Sequence, residues 1–218
     1  MQNPFGSTAS LNANGGNNSN PFEDKNKYEL DNFFYSNTAE IRELLTRFRN
    51  SISNLINLQN ESLNSIGENE TSKYMKLIDS KTTDLKSLQN QIKSLLEKLK
   101  RECDRTDIDQ INQVNNLNNN FKDSLMNFKK IEDNFRINLQ TQSVERYQIV
   151  NPDSTHDEAV EFINSTGSQQ IFENAIKYKT NEARDVLYEV KERYNEMQKT
   201  ELLAREISEL MSDLQELR

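Results

Sequence analysis

The stretch Asn181 to Arg218, NEARDVLYEVKERYNEMQKTELLAREISELMSDLQELR, decides how the rest of the chain is read. It contains neither Pro nor Gly and ends in the apolar ladder Leu203, Ile207, Leu210, Leu214 and Leu217, whose steps of 4, 3, 4 and 3 residues put five side chains on one narrow helical seam. Glu206, Glu209, Asp213 and Glu216 lie between the rungs, so charge rather than further apolar surface flanks the seam. A seam of this width needs a partner. That partner is either the rest of this chain or another helix, and both arrangements can hold in different states. No Gly or Pro stop follows the last rung, which reads as an interaction helix still running.

Working outward, composition bounds what the seam can pack on. Only 33% of the 218 residues are hydrophobic, so the core is thin. Five Gly and three Pro in the whole chain leave long uninterrupted runs that favour helix over a many-turned sheet, and the expected class is all-α. A net charge of −8 disfavours nucleic-acid backbones and anionic membrane surfaces, since both need a basic face. No run of about 18 apolar residues is present to span a bilayer, and the Asn- and Ser-rich start lacks the apolar core of a secretory signal. A single cysteine, Cys103, cannot close an internal disulfide and fits a reducing compartment.

Residues 1–27 are expected to be a disordered tail, because they hold too little aliphatic surface to order themselves. Within them the triplet Asn3-Pro4-Phe5 recurs as Asn20-Pro21-Phe22. Asn-Pro favours a turn, and a turn presenting one aromatic from a tail is a usual form for a pocket-binding peptide. Residues 28–145 carry three amphipathic runs. Asn37 and Glu40 suggest a capping box before Ile41, Leu44, Leu45, Phe48, Ile52, Leu55, Ile56, Leu63 and Ile66, with Gly67 ending that helix. The second run, from near Thr71, carries Tyr74, Leu77, Ile78, Leu85, Leu88, Ile92, Leu95, Leu96 and Leu99, with Cys103 continuing the stripe and a Lys- and Asp-rich outward face. The third follows Asp107 and Gln110 and carries Ile111, Val114, Leu117, Phe121, Leu125, Phe128, Ile131, Phe135 and Leu139. Three helices of similar length with short polar loops predict an up-down-up bundle.

Residues 146–180 read as a linker. Tyr147 to Pro152 is expected to be extended, because Ile149-Val150 is β-prone and a residue before Pro avoids the α region. Thr155 and Glu158 make a capping box for a short helix with Ala159, Phe162 and Ile163, closed near Gly167. Ile171, Phe172, Ala175 and Ile176 are expected to open the last long helix.

Chemistry finds little support. His156 is the one imidazole and lacks a companion for a metal pair or a catalytic base. Cys103 sits on an apolar stripe, which raises a thiol pKa and blunts reactivity. Acidic pairs such as Glu189/Glu192 stand beside Lys191 and Arg193 in the manner of a solvated helix face. There is no phosphate-cradling Gly loop and no Cys-x-x-Cys, so neither an enzyme nor a cofactor is expected.

The run Glu145-Arg146-Tyr147-Gln148-Ile149-Val150-Asn151-Pro152-Asp153-Ser154-Thr155-His156-Asp157-Glu158, followed by Gly167 to Phe172, resembles the linker of fungal plasma-membrane syntaxins, and Ala204 to Arg218 resembles the start of a Qa-type SNARE motif. The resemblance covers roughly residues 28–218. It implies a syntaxin N-terminal bundle with a long fourth helix packed along it, and it places Ile207, Leu210, Leu214 and Leu217 in apolar layers of the SNARE helix. It further implies an exocytic t-SNARE at the cytosolic face of the plasma membrane, working with other SNARE proteins and a Sec1-like regulator. On this reading the family's central Gln and a C-terminal membrane anchor lie beyond Arg218, and residues 181–218 are the truncated start of the SNARE helix. The implied mechanism is a switch. In the closed form the seam lies in the groove of the bundle, and in the open form it pairs with partner helices. With the ladder cut short, residues to about Met197 are expected to stay docked and the remainder to fray. The tail with Asn3, Pro4, Phe5, Asn20, Pro21 and Phe22 would recruit a vesicle tethering complex or an EH-type adaptor. The alternative is a helical adaptor or tether subunit without SNARE activity, whose ladder is permanently buried.

Overall fold

The computed structural model describes residues 21–165, Phe172 and residues 180–216. The described residues form α1 (Pro21–Asn64), α2 (Glu68–Glu102), α3 (Ile108–Val150), the short α4 (His156–Asn164) and α5 (Asn181–Glu216), with no strand among them. Helices α1 to α3 run up, down and up. Asn37 of α1 meets Glu102 at one end of α2 and Ser65 meets Thr71 at the other, while Gln59 meets Glu132 of α3. The all-α bundle with a long last helix along it is therefore the fold.

Its core follows the periodic positions. Ile41, Phe48, Ile52 and Leu55 of α1, Ile78, Leu85, Ile92 and Leu99 of α2, and Phe121, Leu125, Phe128 and Leu139 of α3 are buried together. Phe48 sits edge-on to both Phe121 and Phe128, at 5.9 Å each. Side chains of this size stabilise by about 1.5–3 kcal/mol each when fully buried. Two predicted stripe members are excluded: Ile66, beyond the end of α1, and Leu77 on the outer side of α2 both remain exposed.

Helix α1 starts at Pro21, within the expected tail, and runs without a break through Asn37. Asn37 and Glu40 therefore form no N-terminal box. Phe34 and Ile41, seven residues apart, are both buried, so the apolar stripe begins a full two turns before the expected start and carries the helix with it. Asn37 instead turns inward and donates from Nδ2 to Glu102 Oε2 at 3.5 Å. The turn at Gly67 is as expected, with φ +94°, a left-handed conformation that disfavours a side chain.

Cys103 continues the stripe past the helix end: α2 stops at Glu102, and Cys103, its extended C-cap, is half-buried against the core with Sγ donating to the Asp104 carbonyl. Burial, and then the charges of Asp107 and Asp104, raise the thiol above its ordinary range, which keeps it protonated. Asp107 caps α3, its carboxylate accepting from Asp109 N and Gln110 N. Gln110 does not complete the box; its Oε1 accepts from Asp104 N and its Nε2 donates to Asp31 of α1.

The expected extended segment is corrected: α3 continues through Tyr147 and Ile149 to Val150, and only Asn151, the residue before Pro152, leaves the helix. Tertiary packing overrides the weak β preference. Val144 is buried and Tyr147 stacks on Phe162 of α4 at 4.3 Å, while the Pro restricts only its immediate predecessor. The Thr155–Glu158 capping box is present in full, and Ala159 and Ile163 are buried. Phe172 is buried edge-on to Phe162, and the other residues expected to open the last helix lie outside the described residues.

Candidate functional site

The site is the face that α5 presents to the bundle. Helix α5 lies against α3 and α2, antiparallel to α3 and parallel to α2. Arg146 and Asn118 of α3 meet Glu189 and Leu214 respectively, whereas Asp79, Lys86 and Lys93 of α2 meet Lys199, Glu206 and Asp213 in ascending order.

Of the predicted seam residues, Ile207 and Leu214 are buried with Leu203, and Leu210 is partly buried; Leu217 lies outside the described residues. The expected fraying after Met197 does not occur. Leu214 is fully buried and its carbonyl accepts from Asn118 Nδ2 at 3.1 Å, so docking runs to the last complete turn described. The seam closes on the bundle because each rung brings its own share of apolar burial, independent of rungs further along.

The same 4-3 spacing continues upstream of Leu203 through Thr200, Glu196, Arg193 and Glu189, and all four are buried. The solvated face expected for Glu189 and Arg193 is thus overturned. Arg193 is 0% and Glu189 2% exposed, and they belong to the seam itself. Arg193 Nη1 lies 3.2 Å from Glu189 Oε2, and Arg146 Nη1 of α3 lies 2.6 Å from the same oxygen. Arg193 Nη2 donates to the Ser65 carbonyl at 3.2 Å, and Glu189 Oε1 accepts from the Gly67 amide. These polar rungs clasp the α1–α2 turn and the end of α3 at once. Burial, and next the neighbouring Arg146 charge, lower the Arg193 pKa, against the pull of Glu189.

At the next rung of the seam, two carboxyl groups face the interior. Glu132 of α3 accepts from Gln59 Nε2 at 2.8 Å, and Glu196 of α5 lies 3.3 Å from Lys199 Nζ. Burial pushes each up to about 7; the charge of Glu196 adds to the shift at Glu132, and that of Asp79 adds at Glu196. Lys199 also holds both oxygens of Asp79 at 2.7 Å, so it is shared between two acids.

The tail motifs fall mostly outside the described residues: Asn3, Pro4, Phe5 and Asn20 do, while Pro21 and Phe22 open α1. His156 opens α4 on the surface. Among the described residues no three His, Cys, Asp or Glu side chains gather to hold a metal, and no helix is long and apolar enough to cross a membrane.

A family model described as syntaxin matches residues 27–176. The protein transport protein SSO2 of Candida albicans is 28% identical over 92% of this chain and 75% of its own length. Protein SSO1 of Saccharomyces cerevisiae is 25% identical over 84% of the chain and 64% of its own length. The syntaxin-like protein psy1 of Schizosaccharomyces pombe is 23% identical over 83% and 66%. A chain in the crystal structure of the Unc18–syntaxin 1 complex from Monosiga brevicollis superposes with a TM-score of 0.66 at 15% identity, covering 90% of this chain and 89% of that one, which extends the likeness to the fold.

Proposed function

The chain belongs to the syntaxin family, and on that premise we propose that it serves as a Qa-type t-SNARE in exocytosis, held in a closed state by its own bundle. Syntaxins are SNARE proteins and not enzymes, so what α5 does is pair with other helices. The observation that carries the reading is the burial of Leu203, Ile207 and Leu214 in the groove between α2 and α3. A seam in that groove is hidden from partner SNAREs, so closing and pairing exclude one another and any ligand that prefers one form shifts the balance.

Residues 28–145 act as the regulatory bundle, 146–180 as the linker and 181–218 as the SNARE helix, with Ile207, Leu210, Leu214 and Leu217 as layer residues. A Sec1-like protein is the regulator, and the Asn-Pro-Phe motifs at residues 3–5 and 20–22 recruit a tethering complex or an EH-type adaptor. The site of action is the cytosolic face of the plasma membrane. This reading is tested by the rate at which the chain joins its partner SNARE helices. The change Glu189→Ala with Arg193→Ala, which removes the clasp but leaves the apolar seam, speeds joining; an unchanged rate contradicts autoinhibition.

A further inference from the structure

Three ion pairs join α5 to α2: Asp79 with Lys199, Lys86 with Glu206, and Lys93 with Asp213. The two outer pairs each span 120 positions of chain, and the middle one keeps the same offset. Asp79, Lys86 and Lys93 are spaced by seven residues and immediately follow the buried Ile78, Leu85 and Ile92. The α2 face thus presents an apolar heptad seam edged by acid, base, base, and α5 answers with base, acid, acid.

We propose that this edge of α5 is a charge-coded docking strip, and that the helices it accepts in trans carry an apolar heptad seam edged by acid, base and base at seven-residue spacing. This rests on the reading of α5 as a pairing helix and adds what the paired helix must look like. Apolar seams repeat every heptad and discriminate poorly among helices of the same period. Charges beside the seam supply the discrimination, because a wrong partner brings like charges together. The pairs are half-exposed on both sides, which suits selection rather than raw affinity. Helix α2 is the internal occupant of the strip, and a partner carrying the same code competes with it directly.

The test uses the full chain in two forms. One carries Asp79→Lys, Lys86→Glu and Lys93→Glu, which mismatches the internal occupant while keeping the α5 code. The other carries Lys199→Glu, Glu206→Lys and Asp213→Lys, which reverses the code on α5. Two labelled amphipathic helical peptides are titrated against each, with identical apolar seams, equal net charge, and edges of acid-base-base or base-acid-acid. The first form binds the acid-base-base peptide about tenfold more tightly, the summed effect of three exposed pairs, and the second form reverses the preference. Equal binding of both peptides overturns the code while leaving α5 a pairing helix. Binding of neither peptide to either form overturns the pairing reading as well.

Discussion

The guanidinium of Arg193 donates to the carbonyl oxygen of Ser65 at 3.2 Å across 128 positions of sequence. One side chain on the last helix thereby reads the backbone of the first interhelical turn. Glu189 takes the Gly67 amide in the same turn and the Arg146 guanidinium from α3, so three separate elements are tied at one buried point. Hydrophobic contact along the seam supplies most of the docking energy, while this clasp fixes where α5 begins its path.

Glu189→Ala leaves the buried Arg193 and its neighbour Arg146 without their shared carboxylate. Uncompensated buried charge of this kind costs about 3–5 kcal/mol. Amide hydrogen exchange along α5 should accelerate by the corresponding factor while the α1–α3 core keeps its protection. Unaltered α5 protection means that the clasp does not hold α5 to the bundle.

Gly67→Ala meets no neighbouring atom within 4 Å, so its cost is backbone strain alone at φ +94°. A residue with a Cβ held in this sparsely populated region costs about 1–3 kcal/mol. The midpoint of chemical denaturation should fall accordingly with an unchanged slope.

Docking weakens as pH rises. Glu132 and Glu196 are pushed up to about 7 by burial, from an ordinary 4.5 when solvated. Raised carboxyl pKa values mean that their contribution is fully present below about 4.5 and is lost as pH climbs through about 7. The bound on the loss is about 3 kcal/mol per group, less for two that share a field. Stability measured at pH 5.5 and pH 8 should differ in that direction, and Glu196→Gln should flatten the difference; a flat profile in the unaltered chain contradicts the burial of these carboxyls.

The paired triplets carry the recruitment reading. Changing Phe5 and Phe22 together to Ala should abolish capture of a tether or EH-type adaptor in a pull-down while capture of partner SNAREs persists. Undiminished capture assigns recruitment to another surface.

Much of the fold was legible because apolar spacing and turn chemistry agree. Gly67, Asp107 and the Thr155–Glu158 box mark real boundaries, and the stripes of α1 to α3, Ile66 and Leu77 apart, face the core where the periodicity puts them. What escaped was decided by tertiary contact. Tyr147 stays helical because Phe162 stacks on it, and Asn37 stays mid-helix because Phe34 and Ile41 are buried on either side. The ladder is legible from Leu203 onward, but the polar Glu189 and Arg193 read as part of a solvated face, and Glu196 and Thr200 carry no apolar signal of their own. Their spacing, continuous with the ladder, was the available signal. The chain cannot announce in advance that Ser65, Gly67 and Arg146 wait to satisfy them.

The exclusivity of docking and pairing at one seam is what makes α5 a switch on the proposed function. It is tested most directly by the distance between spin labels at Thr83→Cys on α2 and Ser212→Cys on α5, with Cys103→Ser so that no other thiol reacts. A single short separation is expected for the chain alone, replaced by a long, broad distribution when partner SNARE helices bind. Persistence of the short separation in the partner-bound chain would contradict it, since α5 would then be pairing without leaving the bundle.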